Sequence, residues 1–262
     1  MKGGRSLTLS VFILGPAGSG KSTFVASFSD LLSDFNLDYL LVNMDPAAEK
    51  IPYEPDVDVR DYVTVKELMA RKDLGPNGAI IEAVDEVTLY IEDIKDKIYE
   101  AKPGYIIFDT PGQMELFVFR ASGLEVISRL SGDRCAVVFL FDSLLSLSPS
   151  SFISLLLLAA STHYRLSKPQ IIALNKVDLI REEDIERIKE WIGDPEALLR
   201  DLREESGYEK VIHESIIRAL SDYLSVFDLI PVSSTEGKGL ERVYSLLQEI
   251  YVGGEDYTSL PP

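Results

Sequence analysis

The chain has 262 residues, 46% hydrophobic and 26% charged, enough apolar material for one large domain and too much for global disorder. Its 43 acidic residues outweigh 26 basic ones, and the resulting charge of −17 repels a phosphate backbone and disfavours sequence-independent nucleic-acid binding. A single cysteine, Cys135, excludes an intrachain disulfide, and with only two histidines, His163 and His213, a Cys/His metal site has too few ligands.

Taken from the N-terminus, Lys2 and Arg5 precede "LTLSVFIL", which superficially resembles a secretory leader. "GPAGSGKST" follows at once with no small-residue cleavage site, so residues 7–14 read as a buried strand. Further apolar runs at 38–44, 104–109, 135–142, 170–176 and 227–233 also read as strands. Most are continuously apolar, as parallel strands covered on both faces must be. Helical patterns fill the gaps. The expected class is therefore α/β, a mostly parallel sheet with helices on both faces.

Two regions interrupt this rhythm. Residues 45–103 read as a loop and two helices, the later one spanning about 79 to 101 with Ile80, Ile81, Val84, Val87, Ile91, Ile94 and Ile98 on one stripe. Residues 181–226 read as a charged helical insertion before the last strand, broken at Asp194-Pro195. "FISLLLLAA" at 152–160 is too short to span a bilayer and reads as a buried helix. The expectation is one domain over 1–252, a fraying tail over 253–262, no membrane segment, and a reducing, cytoplasmic setting for the lone thiol.

The chemistry sits at the strand ends. "GPAGSGKS" matches G-x-x-x-x-G-K-[ST] between a strand and a helix. Gly15, Gly18 and Gly20 let the backbone of Gly15, Pro16, Ala17, Gly18, Ser19 and Gly20 wrap a phosphate, continuing into Lys21, Ser22 and Thr23 at the helix start. Lys21 reaches the β- and γ-phosphates, and the Ser22 hydroxyl suits Mg²⁺. "DTPGQ" at 109–113 follows the third expected strand. Asp109 there can hold the Mg²⁺ shell through water, the Gly112 N–H can touch a γ-phosphate, and Gln113 or Glu115 can orient water. A plain turn is the alternative.

"NKVD" at 175–178 addresses the base through Asn175, Lys176 and Asp178. A carboxylate at Asp178 accepts from both the N1–H and the exocyclic amine of guanine, a donor pair adenine lacks. Ser233 and Ser234 in "VSS" follow the last strand and resemble the weak fifth motif of GTPases. "GPNG" at 75–78, read by itself, is a loop tip between helices.

These motifs in this order resemble a P-loop GTPase. "NMDPAAE", "DTPGQMELF", "NKVD" and "GPNG" between the second and third expected strands resemble the GPN-loop GTPases, in their archaeal-type homodimeric form. The resemblance implies GTP hydrolysis to GDP with Mg²⁺ in a nucleotide-dependent homodimer. It implies that Asn77 reaches across the dimer toward the partner's γ-phosphate. It also implies that Asp45 positions or activates the attacking water, against the alternative of an Asp-Pro turn that only ends the strand. Eukaryotic relatives are linked to RNA polymerase assembly, which implies a protein client of that kind. A nickel-type metallochaperone, a non-catalytic nucleotide-binding scaffold and a small-molecule kinase are the rival readings.

Overall fold

The buried apolar runs form strands that all lie parallel. The computed structural model describes residues 8–132, 134–206, 215–217, 220, 223 and 229–252. Its strands are β1 (Leu9–Leu14), β2 (Tyr39–Asn43), β3 (Val57–Asp58), β4 (Tyr105–Asp109), β5 (Arg134–Asp142), β6 (Gln170–Asn175) and β7 (Leu229–Pro231). They make one sheet in the order β3-β2-β4-β1-β5-β6-β7. β1 thus sits in the middle, paired with β4 on one side and β5 on the other.

Alternate residues of β1 serve different layers. Leu9, Val11 and Ile13 pack with Phe24 and Phe28 of α1 (Lys21–Asp34) and with Val243 and Leu247 of α10 (Leu240–Val252). Phe12 and Leu14 enter the larger core on the opposite face, where Phe12 and Phe108 stack with ring centroids 4.3 Å apart. Cover on both sides explains why this strand is apolar at nearly every position. Because every strand runs the same way, the C-terminal ends of β1, β4, β5 and β6 share one edge, where ligands bind in such sheets.

Between β2 and β4 the chain differs from the sequence expectation in three places. β3 is a two-residue edge strand, leading into a tight helical turn at Val59–Asp61. After α2 (Val65–Lys72), the single helix expected from about residue 79 is instead α3 (Pro76–Val87) and α4 (Ile91–Ala101), separated by a 3₁₀ turn at Thr88–Tyr90. Finally, "GPNG" is not a loop tip. Asp73 takes the left-handed conformation (φ 52°) that ends α2, Gly75 is extended, and Pro76 opens α3. Proline suits that position, where its missing N–H would have had no helical partner. Asn77 and Gly78 therefore lie in the first helical turn.

α5 (Met114–Val118) and α6 (Ala121–Leu130) follow β4. α7 (Pro149–Leu166) contains the apolar run at 152–160, and no helix among the described residues is long and apolar enough to cross a membrane. The insertion begins with α8 (Glu182–Gly193) and α9 (Pro195–Ser206), with Pro195 at the start of the second helix as expected. Trp191 of α8 is buried and donates from Nε1 to Asp201 Oδ2 of α9 at 2.7 Å. Much of the insertion beyond 206, the start of the last expected strand and the tail at 253–262 lie outside the described residues.

Candidate functional site

The loop between β1 and α1 is shaped for close approach. Gly15 and Gly20 both have positive φ, and a Cβ on Gly15 would come within 2.6 Å of the Leu140 carbonyl. A Cβ on Gly20 would meet the Asn175 amide at the same distance of 2.6 Å. α1 begins with no side-chain cap, so its first N–H groups face the loop, the arrangement that binds anions. Ala17 and Gly18 are exposed at the loop's outer face, while Pro16, Ser22 and Thr23 are half-buried and Ser19 is buried.

Lys21, only 6% exposed, folds its ammonium back onto the carbonyls of Gly15 (3.0 Å) and Pro16 (3.1 Å). Burial pulls its pKa below the ordinary lysine value, and the carboxylates of Asp109, Asp45 and Glu115 oppose that shift. The ammonium thus bonds only backbone carbonyls and feels three carboxylates, with no carboxylate among the described residues bonded to it directly.

Asp109 ends β4 at 1% exposure. Burial raises its pKa to about 6, against the opposing pull of the Ser22 and Tyr53 hydroxyls and the Lys21 ammonium. Tyr53 donates to Oδ2 at 2.9 Å, whereas Oδ1 is buried without a hydrogen-bond partner. An orphaned carboxylate oxygen beside a serine hydroxyl fits a hard divalent cation with oxygen ligands, so Ser22 and Asp109 suit Mg²⁺.

Asp45 follows β2 and is bonded on both carboxylate oxygens. Oδ1 accepts from the Ala47 N–H at 2.9 Å, closing the Asp-Pro turn. Oδ2 accepts from the Gly112 N–H at 3.1 Å. The sequence offered a turn or a water-positioning role for Asp45; the turn is formed, and the same carboxylate also holds the Gly112 amide. Gln113 and Glu115 are exposed at the start of α5.

The base-binding end is tied to the phosphate loop by side chains. Asn175 is fully buried, donates to the Ser19 carbonyl at 2.9 Å and accepts from the Ser234 hydroxyl at 2.8 Å. Lys176 has φ 65° and its ammonium bonds the Gly18 carbonyl and, at 2.7 Å, Asp142 Oδ2. Asp178 is exposed and accepts from the Ser233 hydroxyl at 2.6 Å, which holds its carboxyl below the usual carboxylate range.

Asn77 stands apart from this constellation. It is exposed with Gly75 and Pro76, and among the described residues no hydrogen bond joins it to the phosphate loop. α3 is instead tied to the segment after α5: Asp85 accepts from Arg120 Nη2 and from the Ser122 hydroxyl, each at 2.6 Å. Sequence reasoning passed over Tyr53 and Asp142. Asp142 had a signal, an acid closing an apolar strand in "FLFD". Tyr53 had none, since its partner lies 56 residues away.

The profile of a family described as "Conserved hypothetical ATP binding protein" matches residues 13–252. The chain is 33% identical to GPN-loop GTPase PAB0955 of Pyrococcus abyssi over 250 residues, covering 95% of this chain and 99% of that one. It is 29% identical to GPN-loop GTPase 1 of Dictyostelium discoideum over 252 residues, and spans 62% of that protein's length. The apo crystal structure of PAB0955 superposes with a TM-score of 0.82 over 95% of this chain. Agreement in fold and in sequence along nearly its whole length shows that this chain belongs to the GPN-loop GTPase family.

Proposed function

We propose that this protein binds GTP with Mg²⁺, hydrolyses it to GDP and phosphate, and acts as a homodimeric switch in which Asn77 of one protomer completes the partner's site. The observation that carries this reading is the Asp45–Gly112 contact at 3.1 Å. It joins a carboxylate able to hold water to the amide that the sequence motif assigns to a γ-phosphate. As triphosphate enters, the Gly112 N–H exchanges Asp45 for a phosphate oxygen, and Asp45 Oδ2 is released to accept from the attacking water. Lys21 moves from the Gly15 and Pro16 carbonyls to the phosphates, and Gln113 orients the same water. Ser22 and Asp109 would hold Mg²⁺, which would supply charge neutralisation to the triphosphate.

Asp178 favours guanine, which supplies two donors to its carboxylate, over adenine, which supplies none there. The substrate is therefore GTP, although the family description names ATP. Asn77 carries no charge, so it acts by positioning rather than by neutralisation. The output is assembly of a larger protein complex, with the RNA polymerase assembly machinery as candidate client, a reading that rests on resemblance alone. A cytoplasmic setting accords with the buried, unpaired Cys135.

Single-turnover phosphate release, paired with nucleotide dissociation constants, tests the chemistry. Lys21→Ala should lose affinity. Asp45→Ala and Gln113→Ala should keep GTP affinity and release phosphate about 100-fold more slowly, as expected of groups that act mainly in the transition state. A wild-type protein that binds GTP and releases no phosphate would be a scaffold and overturn the reading.

A further inference from the structure

The stretch between β2 and β3 touches the end of β4 and the turn that follows it. Asp45 holds the Gly112 amide, and Tyr53 reaches Asp109. The stretch is pinned in turn. The Asp56 N–H donates to the Leu41 carbonyl at 2.9 Å, and Asp56 Oδ2 accepts from the Leu41 N–H at 2.8 Å. Arg60 grips Asp58 through Nε at 3.0 Å and donates from Nη1 to the Ala48 carbonyl at 3.1 Å. Asn43 adds a bond to Asp58 Oδ1 at 2.9 Å. The Tyr53 ring, half-buried, packs on the core layer shared with α1. Its hydroxyl is thus delivered by a loop anchored on both sides.

That hydroxyl meets a carboxylate with two inequivalent oxygens. Oδ2 of Asp109 accepts from Tyr53 at 2.9 Å, and Oδ1 is buried with no partner. Without the Tyr53 bond, only burial and the neighbouring Ser22 hydroxyl would restrain the carboxylate about its last torsion. With one oxygen fixed, the other points in a defined direction. Partners of this kind, which hold a ligand rather than the metal, set metal affinity in other sites.

We propose that Tyr53 is a positioning residue for the metal carboxylate: its hydroxyl fixes Asp109 so that Oδ1 is presented to the Mg²⁺ shell. The inference rests on the Mg²⁺ reading above. It assigns Tyr53 no contact with substrate or reacting atoms. It also means that one loop sets both the metal carboxylate and, through Asp45, the γ-phosphate amide.

The test is the release rate of a fluorescent GDP analogue from the full chain as Mg²⁺ is titrated, a measurement that needs no hydrolysis. Tyr53→Phe keeps the ring and removes only the hydroxyl. It should raise the Mg²⁺ concentration at half-effect about 10-fold, the low end for loss of such a partner, and leave the release rate in excess chelator unchanged. In an Asp109→Asn background, adding Tyr53→Phe should not change the Mg²⁺ response further. A merely structural tyrosine would lower the melting temperature or speed chelator-treated release without moving the Mg²⁺ midpoint, and that result overturns the proposal. A lower midpoint in Tyr53→Phe also overturns it, because Tyr53 would then compete with the metal. If wild-type release ignores Mg²⁺, the metal reading falls and this inference with it. If wild-type release responds and Tyr53→Phe matches it, this inference alone falls.

Discussion

Asp178 is an exposed carboxylate held chiefly by the Ser233 hydroxyl, with a smaller contribution from Thr235. Ser233 donates to Oδ1 at 2.6 Å and holds the carboxyl below the usual carboxylate range. Replacing it with asparagine leaves one acceptor and introduces donors that face the donors of guanine. Asp178→Asn should weaken GTP binding by roughly 100-fold, the scale of losing hydrogen bonds to a charged acceptor, and should improve binding of xanthosine triphosphate. Competition against a labelled nucleotide measures both. Unchanged GTP affinity in the folded variant would remove Asp178 from base recognition. This residue was legible because "NKVD" closes an apolar strand, where strand direction alone assigns it to the ligand edge. Asn175 was legible as a candidate-site residue but its contacts were not. Its amide joins Ser19 and Ser234, partners brought together only by folding.

Periodicity carried the strands and the long helices, and it failed where tertiary packing redirects the chain. The apolar stripe from Ile80 to Ile98 continues through Thr88–Tyr90, with no glycine or proline to mark the break between α3 and α4. β3 offers the sheet only Val57 and Asp58, one of them acidic, too short for a pattern. "GPNG" contains the residues of a turn, yet proline at a first helical position gives the same sequence signal. In the insertion, Asp194-Pro195 marked the boundary correctly, but the clamp between its two helices was unseen. Asp201 of α9 accepts from Trp191 at 2.7 Å and from Arg187 Nε at 2.9 Å, both on α8. Burial raises the Asp201 pKa, but the Trp191 and Arg187 donors outweigh it and leave the group below the usual carboxylate range. The unfolded chain therefore takes up this proton before the folded one does. The stabilisation is complete above the unfolded value of about 3.9 and is lost as pH falls through the folded value. Asp201→Asn should melt below wild type at neutral pH, and the gap should close as both are taken down toward about pH 2. A gap that stays constant in thermal melts would mean that the clamp is not ionic.

Strand order was not legible at all, because the sequence orders strands only along the chain. β4 enters between β1 and β2, and that placement brings Asp109 and Gly112 against the phosphate loop and Asp45. The same architecture leaves Asn77 exposed at the start of α3, without a side-chain partner among the described residues. A residue so placed can serve a neighbouring copy, and mixing experiments decide whether it does. Asn77→Ala should keep its own phosphate loop and fail to complete its neighbour's site. Lys21→Ala should have a poor site of its own and an intact Asn77 to lend. Each variant by itself should hydrolyse little GTP. Mixed in equal amounts and allowed to exchange subunits, they should form dimers in which the loop of the first chain meets the Asn77 of the second. Random pairing with independent sites restores activity to roughly a quarter of wild type. Coupling between the sites would lower that ceiling, since closure would then need both nucleotides. Two results would count against trans completion by independent sites. One is a mixture shown by mass to contain heterodimers yet no more active than its parts. The other is an Asn77→Ala protein with normal single-turnover hydrolysis, which would leave Gly75-Pro76-Asn77 as no more than the cap and first turn of α3.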